Sequence, residues 1–246
     1  MQKPSVVFLQ ETKLGRPGRI KTPSSSIYTW YELHRTKNAT KGQNGGGLAL
    51  GVVNHLEPSW ISEGNDNTEA ITVEIWAKGF PICLVCGYGP QEHDPKDRKS
   101  GFWEYIENEV HNASQNGAGI IIPMDWNLWA EDHIITGDPN KQYQNGKLLD
   151  EFLNRNRNIS VLNALAICKW KITHERNTLI GTQKSILDFF LVCDKILPHV
   201  TEMEIYENGE NSLTRYRGET VVKTDHNMMK CEVNLNFHIK KIHEKI

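Results

Sequence analysis

Short apolar runs rich in branched residues recur along the chain and predict a strand-rich protein. Each run has the length of a β-strand, and most are bounded by Gly, Pro, Asn or Asp. The runs are SVVFLQ, GGGLALGVV, EAITVEIWA, FPICLVCGYG, AGIIIPMD, VLNAL, SILDFFLVCD and the alternating CEVNLNF. At least seven strands are therefore expected.

Helical periodicity is strongest in two segments, 99–115 and 146–156. The first lies between the strand that ends at Tyr88 and the strand that ends at Asp125, and the second precedes VLNAL, which gives β-α-β alternation. Hairpin-like loops such as NTLIGTQ join other strands. This mixture predicts α/β layers with a mixed sheet or a pair of sheets. Since no repeat or linker divides the 246 residues, 1–246 is expected to form a single domain.

Composition narrows the class of protein. A formal net charge of −2 excludes a globally basic nucleic-acid-binding protein, but it allows a local basic face. No apolar run approaches the roughly 18 residues that span a bilayer, and the N-terminal segment is too short in apolar residues for a secretory signal. A soluble intracellular protein with reduced thiols is expected. Cys83 and Cys86 match C-x-x-C, but residues three apart in a strand face opposite sides, so we expect them to pack as small hydrophobic residues.

Polar residues stand at or near the ends of several predicted strands, where packing alone would not select them. These residues are Glu11, Tyr88, Asp125, Asn127, Asp188, Asp225 and His226. Taken singly, each has an ordinary explanation, such as a solvated strand end, an Asx turn or a core aromatic. Their recurrence after successive strands favours a functional site, because Asp and Glu are rarely buried without a partner.

These residue types suit phosphoester chemistry. Mg²⁺ is usually held by one or two carboxylates together with water and substrate phosphate, and Glu11 is the candidate ligand. A histidine held by a buried carboxylate has a fixed orientation, which suits proton transfer or charge stabilisation, and Asp188 with His226 are the candidate pair. Tyr88 and Asn127 are uncharged groups that can position a phosphate. The set predicts metal-assisted attack of water on a phosphoester.

Five segments resemble motifs of a known superfamily. VFLQETKL, GYGP, MDWN, SILDFFLV and TDHN occur in the order found in the endonuclease/exonuclease/phosphatase superfamily, which includes deoxyribonuclease-like enzymes and abasic-site endonucleases. Within it, GDPNKQYQNGKLLDEFL, SILDFFLVCDKILP and SLTRY followed by TDHN most resemble the apurinic-type endonuclease domain of non-LTR retrotransposons. The resemblance implies an α/β fold, a four-layer sandwich of two mixed β-sheets flanked by helices.

The chain departs from the family pattern in two places. The strand that usually carries an Asn upstream of the Gln-Glu motif has no counterpart before Glu11, so the fold is expected to lack the family's first strand. The usual Gly-Asp-x-Asn reads Met124-Asp125-Trp126-Asn127. Residues 238–246 are basic with helical character and are interpreted as the start of a linker to a following domain.

The resemblance implies roles for the metal and phosphate contacts. Glu11 would bind Mg²⁺, with Mn²⁺ as the alternative, and Asp225 would be a further ligand or support one. Tyr88 and Asn127 would contact the scissile phosphate. The implied activity is DNA endonuclease cleavage that leaves a 3′-hydroxyl, with the chain nicking target DNA for a reverse transcriptase encoded downstream, and action in the nucleus follows from the same resemblance.

The remaining implied roles concern proton transfer. Asp125 would activate or position the attacking water, and Asp188 would orient His226. The general base is left open between Asp125 and His226.

Basic residues near these motifs are candidates for DNA contact. They are Lys13, Arg16 and Arg19 in the loop after Glu11, Arg176 and Lys184 in a segment resembling a groove-entering hairpin, and Arg215 before Asp225. Trp126 and Trp129 flank Asn127 and are candidates to stack on a base, although tryptophans after a strand are more often core residues. Two alternatives remain: a phosphatase or phosphodiesterase acting on a small phosphoester, and a catalytically inactive DNA-binding module.

Overall fold

The computed structural model describes residues 3–12, 27–34, 46–65, 68–128, 144–168, 172–178, 181–206, 214–217, 220–223 and 225–235. The strands are β1 Val6–Leu9, β2 Tyr28–Leu33, β3 Leu48–Val53, β4 Ser59–Glu63, β5 Ala70–Ala77, β6 Phe80–Tyr88, β7 Gly119–Asp125, β8 Ile159–Val161, β9 His174–Thr178, β10 Gly181–Ser185, β11 Asp188–Cys193, β12 Val200–Ile205, β13 Thr214–Arg217, β14 Thr220–Lys223 and β15 Met229–Val233. The α-helices are α1 Lys96–Gln115 and α2 Gln144–Arg155.

A six-stranded mixed sheet forms the centre of the fold. Its strand order is β4-β5-β6-β7-β11-β8. β6 and β7 are parallel and are joined by α1, whereas every other neighbouring pair is antiparallel. Because α1 makes the crossover between two parallel strands, the carboxyl ends of β6 and β7 lie at the same edge of the sheet.

A three-stranded antiparallel sheet and the two α-helices cover the central sheet. The smaller sheet has the order β1-β3-β2 and contacts β5 and β6, while α1 packs on β5, β6 and β7 and contacts α2. All residues of β6 from Ile82 to Tyr88 are buried. Burial of consecutive residues requires cover on both faces of the strand. The expected two-sheet α/β class is confirmed.

The sequence located both α-helices, although each begins earlier than its periodicity indicated. The interpretation of VLNAL as a strand was wrong. β8 ends at Val161, and Leu162–Ala164 form a short 3-10 helix. The change of conformation places the Asn163 amide against the main chain of β11, where it donates to the Asp188 carbonyl at 3.1 Å and accepts from the Phe190 N–H at 2.9 Å.

Some strands lie outside the predicted apolar runs, and the β9–β10 hairpin was expected from the family resemblance. β9 (HERNT), β10 (GTQKS) and β13 (TRYR) form hairpins with their neighbours and are mostly polar, so alternation gave little signal. SILDFFLVCD was predicted as one strand, but its first residue, Ser185, ends β10, and β11 begins at Asp188. Among the described residues, β1 pairs with β3 alone.

The thiols behave as the sequence predicted. All five cysteines are free, and Cys83 and Cys86 are both buried. Burial raises the pKa of each of these two thiols to about 12. Their environments differ, since Cys83 lies near Glu74 and Cys86 near Gln10, as expected for residues on opposite faces. None of the described helices is both long enough and apolar enough to cross a membrane.

Candidate active site

Three polar side chains lie next to one another across three neighbouring strands. Tyr88 is the last residue of β6, Asp125 is the last of β7, and Asp188 is the first of β11. Asp125 is in register with Tyr88 on one side and with Asp188 on the other. Residues in register across a sheet point to the same face, so the strand pairing brings the three side chains together. We call Tyr88, Asp125 and Asp188 the strand-end row.

His226 lies between the two carboxylates of the strand-end row. Its Nδ1 is 3.0 and 3.2 Å from the two carboxylate oxygens of Asp188, and its Nε2 is 3.7 Å from Asp125 Oδ2. An isolated antiparallel bridge to His174, at the start of β9, holds the main chain of His226 in this place. The side chain of His226 is 34% exposed, whereas both carboxylates are buried. The predicted pairing of Asp188 with His226 is therefore present.

The charges of these groups are strongly coupled. Burial and the neighbouring Asp188 carboxylate raise the pKa of Asp125 well above its ordinary 3.8, with Glu11 adding to the effect, while His226 and the Asn127 N–H oppose it. Burial lowers the pKa of His226, but the Asp188 and Asp125 carboxylates outweigh it and raise the value to about 10. Burial, helped by Asp125 and Glu11, raises the pKa of Tyr88 above 10. Tyr88 is thus held as a neutral hydroxyl and His226 as a cation.

Asn127 is fixed beside the strand-end row by a tight turn. It adopts a left-handed conformation with φ of 49°, and its N–H donates to Asp125 Oδ1 at 2.9 Å. Its Nδ2 donates to the carbonyl of Gly89 at 2.9 Å. Gly89 runs so close to this turn that a Cβ added there would lie 2.2 Å from the Trp126 carbonyl oxygen. The Asx turn seen here was the ordinary explanation for Asp125 and Asn127, and it coexists with their place at the site.

Trp126 is a core residue and does not face a nucleic acid. Its side chain is 1% exposed, stacks on Trp103 at a centroid distance of 5.4 Å, and meets Phe102 edge to face. Its Nε1 donates to the Phe189 carbonyl at 3.2 Å. The suggestion that Trp126 stacks on a base was wrong, because its side chain packs against Phe102 and Trp103 of α1. Trp129 lies outside the described residues.

Glu11 stands at the Tyr88 end of the strand-end row. The Tyr88 hydroxyl donates to Glu11 Oε1 at 3.0 Å, and Glu11 is exposed with φ of 49°. Three carboxyl groups, those of Glu11, Asp125 and Asp188, therefore surround the single imidazole of His226 and the Tyr88 hydroxyl. A hard divalent cation that prefers carboxylate oxygen fits such a donor set.

Asp225 points to a different partner. Its side chain is 57% exposed, and its Oδ2 lies 3.4 Å from Nε2 of His174. The hydrogen bond with His174 holds the pKa of Asp225 well below its ordinary value. The structure thus brings Tyr88, Asp125, Asn127, Asp188, His226 and Glu11 into one continuous group, and it places Asp225 beside His174. The role of Asp225 as a magnesium ligand stays a prediction.

Several residues that support the site were missed by the sequence analysis. Thr173 Oγ1 accepts the N–H groups of Leu187 and Asp188 at 2.9 and 3.2 Å. Asn145 at the start of α2 donates to the carbonyls of Pro90 and Asn127 at 2.7 and 3.2 Å, which ties the helix to the turn. Both side chains are buried polar groups. The only signal in the sequence was a polar residue beside an apolar segment, which is too common to select them.

The predicted DNA-contacting residues fall in three groups. Lys13, Arg16 and Arg19 lie outside the described residues. Arg215 lies in β13, in register with Val222 of β14. Arg176 and Lys184 lie in the β9–β10 hairpin, whose base is formed by His174 and Ser185; Arg176 is exposed, and Lys184 Nζ is 2.8 Å from Glu175 Oε1.

Solved structures of other proteins share the fold of this chain. No family model matches the chain, and no curated protein matches it. Solved structures do. The endonuclease domain of TRAS1, a telomere-specific non-LTR retrotransposon, has a TM-score of 0.56 and 17% identity, covering 85% of this chain and 81% of that chain. The chain therefore shares its fold with this structure.

Two further structures extend this likeness. The 3′-5′ exonuclease NExo from Neisseria meningitidis has a TM-score of 0.63 and 15% identity, covering 94% of this chain and 90% of that chain. The AP endonuclease LMAP from Leishmania major has a TM-score of 0.64 and 16% identity, covering 92% of this chain and 77% of that chain. The fold that the sequence resemblance implied is thus confirmed.

Proposed function

We propose that the chain is a metal-dependent phosphodiester hydrolase that cuts DNA as an endonuclease. The observation that carries the proposal is the placement of His226 between Asp125 and Asp188, beside Tyr88 and Asn127. A buried carboxylate pair with one cationic imidazole and two neutral hydrogen-bond donors matches the needs of phosphoester hydrolysis. Each of these groups stands on a strand end or a tight turn, which holds it in place.

Each residue has a role that its surroundings support. Asp125 accepts a proton from the attacking water, since burial makes its carboxylate more basic than an ordinary aspartate. His226, kept positively charged by Asp188, stabilises the charge that develops on the phosphoryl oxygens. Tyr88 and Asn127 donate hydrogen bonds to the phosphate. The water oxygen bonds to phosphorus, the P–O3′ bond breaks, and O3′ takes up a proton to give 3′-hydroxyl and 5′-phosphate ends.

Glu11 is proposed to hold Mg²⁺, with Mn²⁺ as the alternative. When bound there, the ion would neutralise phosphate charge and act as a Lewis acid. Glu11 fits because it combines an exposed carboxylate with a direct link to the strand-end row through Tyr88.

DNA is proposed as the substrate because a polar hairpin rises next to the site. His174 and Ser185 at the base of the β9–β10 hairpin lie beside His226, and Arg176 on β9 is exposed. From the sequence resemblance to retrotransposon endonuclease domains, we further propose a role in nicking target DNA, with a reverse transcriptase encoded downstream and action in the nucleus. On this proposal, Arg176→Ala lowers affinity for all sequences alike and reduces the salt dependence of binding.

The test is nicking of supercoiled plasmid by the purified chain with Mg²⁺ and with EDTA. Nicks that require metal and disappear in Asp125→Ala and His226→Ala, but not in His55→Ala, support the proposal; His55 is an exposed histidine in the 3-10 helix that follows β3. If a soluble phosphoester is hydrolysed but plasmid is not nicked, the chain is a phosphatase or phosphodiesterase acting on a small phosphoester. If the folded chain binds DNA but shows no metal-dependent cleavage, it is a catalytically inactive DNA-binding module.

A further inference from the structure

A second group of metal-ligand side chains adjoins the proposed hydrolytic site. His174, Asp225 and His226 each offer one ligand atom, and these atoms lie within 4.8 Å of one another. His174 Nε2 and Asp225 Oδ2 are 3.4 Å apart. This contact is at the long end of the range for a hydrogen bond, and it is close to the distance of roughly 3.3 Å between two ligands of a tetrahedral zinc ion with bonds of about 2.0–2.1 Å.

The histidines in this group are oriented as metal ligands usually are. His174 Nδ1 lies 2.9 Å from Ser185 Oγ, and Ser185 is buried at the opposite position of the β9–β10 hairpin. His226 Nδ1 lies against the Asp188 carboxylate. In metal sites the ring nitrogen that does not bind the ion commonly donates to an oxygen in this way, which fixes the tautomer and the plane of the ring.

The donor set and its exposure indicate which ion fits. Two imidazoles and one carboxylate suit zinc, whereas Mg²⁺ prefers oxygen ligands alone. Asp225 is more than half exposed and His226 is about one-third exposed, so an ion reaches the group from solvent. Three protein ligands leave one tetrahedral position for water.

We propose that His174, Asp225 and His226 bind Zn²⁺, and that this zinc inhibits the chain. The inhibition rests on the proposed hydrolytic function, but the binding does not. If Nε2 of His226 is the ligand atom, the ion occupies the nitrogen that approaches Asp125. If Nδ1 is the ligand atom, the bond to Asp188 is lost. Either way, zinc occupies a ring nitrogen that orients His226 between Asp125 and Asp188 in the proposed hydrolytic site.

Binding is measured by competing a zinc-chelating dye against the purified full chain in saturating Mg²⁺. The wild type is expected to bind one Zn²⁺ tightly, His174→Ala to lose this site, and His55→Ala to behave as the wild type. Ser185→Ala is expected to weaken binding roughly 10- to 100-fold, because it removes the support of His174 without removing a ligand. Circular dichroism of each variant confirms folding. Equal affinity in the wild type and His174→Ala would overturn the proposal.

Inhibition is measured within each variant as the ratio of nicking rates with and without Zn²⁺ at fixed Mg²⁺. The wild type is expected to show a ratio far below one and His174→Ala a ratio near one. If the chain binds zinc through His174 but does not nick DNA, the zinc site is supported and only the proposed hydrolase function is refuted. Zinc binding in the wild type with no change in the nicking rate would refute the inhibitory role.

Discussion

Thr173→Val is a direct test of how the site is held in place. The Thr173 side chain is completely buried, and its hydroxyl oxygen accepts the main-chain N–H groups of Leu187 and Asp188. Valine keeps the shape of the side chain but removes this oxygen. A buried N–H left without a partner costs about 1–3 kcal/mol, so two of them are expected to lower the free energy of unfolding by about 2–6 kcal/mol.

Thr72→Val is the matched control. Thr72 is also completely buried, and its hydroxyl lies 2.9 Å from the Tyr105 hydroxyl. Tyr105 keeps a second partner, because Ser62 Oγ is also 2.9 Å away. The same chemical change therefore removes one ordinary hydrogen bond, which contributes about 0.5–1.5 kcal/mol.

Urea unfolding of the two variants and of Thr173→Ser measures the difference. Thr173→Ser keeps the oxygen and is expected to recover most of the stability that valine loses. Under conditions where all three are folded, the nicking rate is expected to fall most in Thr173→Val, because Asp188 then holds His226 less firmly. A Thr173→Val variant no less stable than Thr72→Val would refute the argument.

Three further changes probe the charges and the turn. Gly89→Ala places a Cβ 2.2 Å from the Trp126 carbonyl, so thermal unfolding is expected at lower temperature, whereas Gly101→Ala has its nearest neighbouring atom at 3.5 Å and is expected to be tolerated. Asp125→Asn removes a carboxylate that folding disfavours, so urea titration in EDTA is expected to show greater stability while plasmid nicking is lost. His226 has a folded pKa of about 10 against 6.5 unfolded, so its stabilising contribution is full below pH 6.5 and lost as pH rises through 10. Urea titrations in EDTA are expected to show that fall, and a smaller one in His226→Gln.

The strand-end row could be predicted because its signal is local. Asp125 follows Ile120–Ile122, and Asp188 precedes a run of apolar residues, so each carboxylate stood out against its neighbours in the sequence. Placing Tyr88 beside Asp125 required only that β6 and β7 be parallel, which the helix between them indicates. Placing Asp188 beside Asp125 required the antiparallel pairing of β11 with β7. The pairing of Asp188 with His226 was predicted from the residue types, and the motif resemblance implied the same pair.

The support around the row could not be predicted in the same way. His174 acquires meaning only through Ser185 across a hairpin and through Asp225, which lies far along the chain. Asn145 acts through main-chain carbonyls of two other segments. Such contacts depend on which elements pack together. The partner of a single polar residue in a polar strand therefore cannot be predicted from the local sequence.

The main chain at Asp188 shows why these unpredicted residues matter. β8 pairs with β11 from Leu191 to Cys193, and no strand among the described residues pairs with Asp188 to Phe190 on that side. Asn163 fills the gap by bonding the Asp188 carbonyl and the Phe190 N–H, and Thr173 takes the Asp188 N–H. A slip of one residue in β11 would turn Asp188 to the opposite face of the sheet. By bonding both polar groups of the Asp188 main chain, two buried side chains hold the register on which the position of His226 depends.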